Sequence, residues 1–213
     1  RKELERRQQL LLSELTHRVK NTLAVVQSIA QQTLRTTPSQ EEFVERFGGR
    51  LSALASAHGL LVQSDWLGAD FRALAESQLA AHLTDNVNRV RLEGPPVTLK
   101  ADLATPFGLV LHELATNAAK YGSLSVSGGR VSVSWKVDHD SKPTFRMLWE
   151  EQNGPQVIPP AKTSFGTSLV DRGIPDATIK REFRTTGFVC SIEVPLDQLS
   201  GDGGGSNRGQ PNL

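Results

Sequence analysis

HELATNAAKYG, residues 112–122, is the stretch from which the rest of the chain can be read. It continues an apolar register that begins upstream. Phe107, Val110, Leu111, Leu114 and Ala118 recur at steps of mostly three or four, the spacing of one helix face, and predict a helix over about 102–121. Glu113, Asn117, Lys120 and Tyr121 follow at i, i+4, i+7 and i+8 on a separate polar stripe. A carboxylate, an amide and a cation on one stripe can hold a hydrated divalent ion and its phosphates. The amide oxygen is a hard ligand for Mg²⁺, which prefers few protein ligands plus phosphate and water. An ordinary amphipathic helix with a solvated face has the same pattern, so the helix alone leaves both readings open.

The flanking segments set the fold class. RVSVSWKV (130–137), FRMLWEE (145–151) and FVCSIEV (188–194) alternate apolar and polar with period two, as half-buried strands do. ADFRALAESQLAAHL (69–83) predicts another helix. NRVRL (88–92) and VTLK (97–100), separated by EGPP, predict a hairpin, and a last helix is expected over about 167–180. Helices on one face of a mixed, mostly antiparallel sheet make an α+β sandwich.

Ahead of it, residues 1–35 predict one long helix through Leu4, Leu11, Leu12, Leu15, Val19, Leu23, Val26, Ala30 and Leu34. After Pro38, Ser39 is the expected N-cap of a second helix, with Glu41 and Glu42 at the positive end of its dipole. That helix carries Phe43, Phe47, Leu51, Leu54, Leu61 and Val62, with Gly48-Gly49 a weak point inside it. Such a hairpin buries too little alone, so its apolar stripe is expected to pack against a second copy in a four-helix dimer. The expected organisation is residues 1–66 as the hairpin domain, 67–198 as the sandwich and 199–213 as a Gly-, Asn- and Ser-rich disordered tail.

Composition bounds the function. The 213 residues contain 24 Lys+Arg and 23 Asp+Glu, a net charge of +1, which argues against nucleic-acid binding by bulk charge. A single cysteine, Cys190, excludes an internal disulfide and a thiolate zinc cage. No apolar run approaches the roughly 18 residues of a membrane span, and no signal peptide is visible. A chain that opens on Arg1 reads as an excerpt of a cytoplasmic protein. Hydrolase, zincin and P-loop motifs (GxSxG, HExxH, GxxxxGK[ST]) are absent.

Three further segments carry chemistry. In HRVKN (17–21), His17 lies about 200° from both Leu15 and Val19 and so faces water beside Arg18, Lys20 and Asn21. It is either a plain surface histidine or a nucleophilic imidazole with cations nearby to receive an anion. In LWEEQNGP (148–155), Trp149 and Glu151 share a strand face, and a carboxylate at a strand end beside glycine can accept a hydrogen bond from an exocyclic amine. In SFGTSLV (164–170), Gly166 stands just before a helix whose first N–H groups could face phosphate.

Together and in this order, these four segments resemble a sensor histidine kinase of the HWE family, over roughly residues 8–197. HRVKN looks like the phosphoacceptor box, with His17 as acceptor. HELATNAAKYG looks like the N box, with His112 as the family's naming histidine. LWEE supplies the named Trp149 and Glu151, and SFGTSL looks like the second glycine box. The resemblance implies a helical-hairpin dimerisation and phosphotransfer domain followed by a Bergerat-type ATP-binding sandwich. It implies Asn117 as the Mg²⁺ ligand, Glu113, Lys120 and Tyr121 lining the nucleotide, and Glu151 meeting the adenine amine. Gly154, Phe165, Gly166, Thr167 and Leu169 would flank a short ATP lid of about 156–164. The implied activity is ATP-dependent autophosphorylation of a histidine, then transfer to an aspartate of a response-regulator receiver domain. Signal would arrive from an upstream sensor domain, and the chain would be a homodimer, although some relatives act as monomers.

Departures from the pattern leave a second reading. Where the family pattern has glycines, this chain has Asn153 and Ser164, and a side chain at either could restrict the backbone or crowd the nucleotide. Asn is the mildest replacement, because it tolerates left-handed conformations. Many histidine kinases outside this family carry an acidic residue just after the acceptor; here that position is Arg18, which leaves Glu14, one turn earlier, as the nearest acidic candidate to orient the ring. The alternative is an ATP-binding-deficient dimeric phosphotransfer or scaffold module for a response regulator.

Overall fold

The computed structural model describes residues 2–83, 89–139, 143–156, 169, 173–185, 187–196 and 199. Two compact units emerge, residues 1–52 and 53–213. The first holds the helix α1 (Lys2–Thr36) and the opening half of α2 (Gln40–Gln63). Ser39 caps α2 as expected, its Oγ accepting the Glu42 N–H at 3.2 Å. A buried polar link pins the hairpin near its turn: Arg50 Nη1 donates to Thr33 Oγ1 at 2.7 Å, and Thr33 Oγ1 donates to the Ile29 carbonyl at 2.6 Å. Leu12, Leu15, Val19 and Leu23 of α1 are each at least half exposed in the single chain. His17 is exposed too, so burial within one chain does not separate its face from theirs.

The second unit opens with the rest of α2, whose Ala57 and Leu61 are fully buried. Next come β1 (Ala69–Asp70), α3 (Phe71–Leu83), β2 (Val90–Glu93), β3 (Thr98–Leu99) and α4 (Ala101–Lys120). A short 3₁₀ turn (Ser123–Ser125) leads to β4 (Arg130–Asp138), β5 (Thr144–Gln152), β6 (Thr178–Arg184) and β7 (Gly187–Pro195). The main sheet has the order β2-β4-β5-β7-β6, with β2 parallel to β4 and the other pairs antiparallel. Its inner face packs on α3 and α4, so the fold is the expected α+β class. Phe71 is the centre of that core, with its ring 4.9 Å from Trp135, 5.1 Å from Phe145 and 5.7 Å from Phe107.

Two expectations fail and two boundaries shift. Residues 88–92 and 97–100 do not form a hairpin: β2 pairs with β4, and β3 pairs with β1. The intervening carbonyls are claimed elsewhere. Arg72 donates to Leu92 O at 3.2 Å and Gly94 O at 3.1 Å, and Trp135 Nε1 donates to Pro95 O at 2.7 Å. Pro95 and Pro96 also lack the N–H groups that a hairpin ladder needs. The helix expected to run to residue 180 is overturned at its end, where Thr178–Arg184 is the edge strand β6. Pro175, together with Asp176 at φ 54°, breaks the helical path before it. The helix expected from residue 69 begins at Phe71, because Ala69 and Asp70 pair with β3. Leu199, the first residue read as tail, is buried and bridges to Leu99.

Candidate active site

The candidate nucleotide residues sit where α4 ends beside the end of β5. Phe107, Val110, Leu111, Leu114 and Ala118 are all buried and anchor α4 to the sheet. Of the polar stripe, Asn117, Lys120 and Tyr121 are exposed, whereas Glu113 is 6% exposed and lies toward the core. His112 is half-buried. Tyr121 follows the last helical turn, and the Asn117 carbonyl accepts the N–H groups of Tyr121 at 2.8 Å and Gly122 at 3.0 Å.

β5 reaches this helix end through one carboxylate. Trp149 and Glu151 share the inner face, as period two requires, and both are buried. Glu151 Oε2 accepts the Ser123 N–H at 2.7 Å, and Oε1 accepts the indole N–H of Trp149 at 3.2 Å. Burial pushes the Glu151 carboxyl above the usual carboxylate range, and these hydrogen bonds oppose that rise. Close packing at this point requires glycine: a Cβ on Gly122 would run into the Glu151 carboxylate, and one on Gly154 would lie 2.6 Å from Ser123 Cα. Asn153 adopts φ 57°, the left-handed conformation that a glycine would take there.

The donor set fits a nucleotide with magnesium. Asn117 and Glu113, one turn apart, offer one amide and one carboxylate oxygen. Each Glu151 oxygen has a lone pair beyond the bond it accepts. Ser123 Oγ is a buried polar atom beside the same carboxylate. Ser123 was not legible as a site residue in the sequence; its position directly after Gly122 of the N-box string was the only cue. Trp149 is completely buried and meets the candidate site through its hydrogen bond to Glu151.

In the other unit, the Asn21 amide nitrogen stands 3.3 Å from His17 Nδ1, one turn along α1. Arg18 is half-buried and Lys20 exposed. The Glu14 side chain, Phe165, Gly166, Thr167 and Ser164 lie outside the described residues. Leu169 packs on the core, and its carbonyl accepts the Gly173 N–H at 2.7 Å.

Comparison with known proteins defines the class. Residues 14–96 match the family model of the HWE histidine kinases. A blue-light-activated histidine kinase of Brucella ovis is 35% identical over 200 residues, 92% of this chain and 41% of that protein. The chain therefore spans about two fifths of the curated relatives it matches. Among solved structures, the histidine kinase domain of the Erythrobacter litoralis EL346 blue-light activated histidine kinase aligns with TM-score 0.55 at 17% identity, over 84% of this chain and 95% of that one. The longer EL346 structure aligns with TM-score 0.62 at 21% identity, over 88% of this chain and 59% of that one. These two share the fold, with the sandwich in its Bergerat form. These matches place the chain among the histidine kinases of the two-component type. Within that class it belongs to the HWE family.

Proposed function

We propose that this chain is the phosphotransferase portion of a sensor histidine kinase, which phosphorylates His17 from ATP and passes the group to an aspartate on a response-regulator receiver domain. The observation that carries the reading is the junction of α4 and β5, where Glu151, Ser123 and Gly154 meet the helix end below Asn117. Residues 67–198 are the ATP-binding domain in this reading, and residues 1–66 the dimerisation and phosphotransfer domain. Magnesium would supply charge neutralisation at the phosphates, held by Asn117 with Glu113 nearby. Glu151 accepts the adenine amine, while Lys120 and Tyr121 border the nucleotide.

An imidazole nitrogen of His17 attacks the γ-phosphorus. A P–N bond forms as the bond to the β,γ-bridging oxygen breaks, ADP departs, and the ring proton passes to base or solvent. Asn21 orients the ring from Nδ1; its amide oxygen turned toward Nδ1–H would leave the Nε2 lone pair ready to attack. Arg18 and Lys20 stabilise the phosphorylated product. The exposed leucines of α1 support a homodimer. No helix among the described residues is long and apolar enough to cross a membrane. A cytoplasmic location and an upstream sensor domain complete the proposal.

The test is incubation with γ-labelled ATP and Mg²⁺. An acid-labile, base-stable label present in the wild type and absent from His17→Ala is expected. Equal labelling of that variant would remove His17 as acceptor. A folded protein whose melting temperature ignores ATP, ADP and Mg²⁺ would favour the ATP-binding-deficient module instead. With a Kd of about 100 µM, millimolar nucleotide should add roughly 1.4 kcal/mol of stability.

A further inference from the structure

The outer face of the sheet carries a second concavity, of about 230 Å³, lined by Arg89, Arg91, Arg130, Val131, Ser132 and Gln152. The pleat puts it on the side opposite Glu151. Val131 pairs with Glu151 and both are buried, so Arg130 and Gln152, paired with each other one residue along, turn outward. Arg91 pairs with Ser132 and shares that outward phase. Three arginines thus line one small hollow, and none of the described residues lining it is acidic.

The arginines are held to different degrees. Arg89 is fixed by backbone carbonyls: Nε donates to Gly129 O at 2.7 Å, and Nη2 donates to Ser123 O at 3.0 Å and to Val126 O. Arg91 pairs with Glu93 at 3.1 Å, but the two side chains are 73% and 64% exposed. An ion pair so open to water binds weakly, which leaves the Arg91 guanidinium available to a better partner. Arg130 is exposed at the rim. Three like charges around one hollow repel each other, and a multivalent anion converts that repulsion into binding. Guanidinium forks match the paired oxygens of phosphate and carboxylate, and Ser132 and Gln152 add neutral donors.

We propose that this hollow is a binding site for a small multivalent oxyanion, a phosphate or a di- or tricarboxylate, separate from the nucleotide site on the other face of the sheet. Its position gives it a route to that site. Arg89 grips the carbonyl of Ser123, the residue whose N–H is held by Glu151.

Melting curves of the whole chain in sodium phosphate or sodium citrate, without Mg²⁺ and with NaCl holding ionic strength constant, test the assignment. The wild-type midpoint should rise and saturate in the millimolar range. Arg91→Gln and Arg130→Gln should each raise the half-saturating concentration at least fivefold, whereas Asn117→Ala should respond as the wild type does. Both Arg positions are exposed, and circular dichroism of each variant checks that it is folded. A response to phosphate alone assigns a phosphoryl ligand, and one to citrate alone a carboxylate ligand. A midpoint that follows ionic strength only, or an unchanged response in both Arg variants, overturns the site. Loss of the response in Asn117→Ala alone would also overturn it, because the anion would then occupy the nucleotide cleft. The result is independent of whether His17 is phosphorylated.

Discussion

Ser123 donates its backbone N–H to Oε2 of Glu151 across 2.7 Å, so the side chain at the end of β5 holds the turn that follows α4. The helix that carries Asn117 and the strand that carries Glu151 are joined at that bond.

The buried carboxyl has a pH signature. Burial raises the Glu151 carboxyl in the folded state, so between the ordinary carboxylate range and its raised value the native state binds more protons than the unfolded one. This group's contribution is therefore fully present at acid pH and is lost as pH rises through the raised value. Glu151→Gln removes the titration. Urea midpoints between pH 4.5 and 8 should fall more with rising pH in the wild type than in the variant. The opposite difference in slope would mean that the carboxyl is stabilised as an anion in the fold.

Asn117 offers a contrasting case, because its side chain is exposed and contributes little to folding. Asn117→Ala should change the stability of the nucleotide-free protein by no more than about 0.5 kcal/mol. It should abolish the additional thermal stabilisation that Mg²⁺ confers on the ATP-bound protein. A variant that retained the full Mg²⁺-dependent shift would place the metal on other residues.

Phe71 should behave as a pure core residue. Its side chain is fully buried against Phe107, Trp135 and Phe145, joining α3 and α4 to the sheet. Phe71→Ala should cost about 3–5 kcal/mol, read from urea unfolding monitored by tryptophan fluorescence. A loss below 1 kcal/mol would show that the cavity collapses.

What could be read from the sequence follows from how local each signal is. Period-two alternation located β4, β5 and β7, because each buries one face on the same helices. The three- and four-residue spacing located α1, α2 and α4. Pairing was less legible. β2 was recognisable as a strand, but its partner β4 lies some 40 residues further along the chain, and Arg72 takes the Leu92 carbonyl from 20 residues away. β6 was missed because a charged edge strand (Thr178–Arg184) has no strongly apolar face to advertise it. Glu151 was legible as a candidate site residue from its motif. Its partner Ser123 was not, because it contributes through a backbone N–H, which no residue type reveals.

Asn153 decides how far the departure from the family's glycine pattern matters. Its φ of 57° is one that Asn reaches at modest cost and β-branched residues reach only under strain. Asn153→Gly should stay within about 0.5 kcal/mol of wild-type stability, relief of the left-handed backbone being offset by the greater chain entropy of glycine. Asn153→Val should lose about 1–3 kcal/mol. If the Asn side chain merely occupies a conformation that the turn already demands, the glycine variant will bind ADP as the wild type does, by calorimetric titration. A tenfold or greater tightening in Asn153→Gly would instead mean that the side chain obstructs the nucleotide, and the ATP-binding-deficient reading would gain at the expense of the kinase.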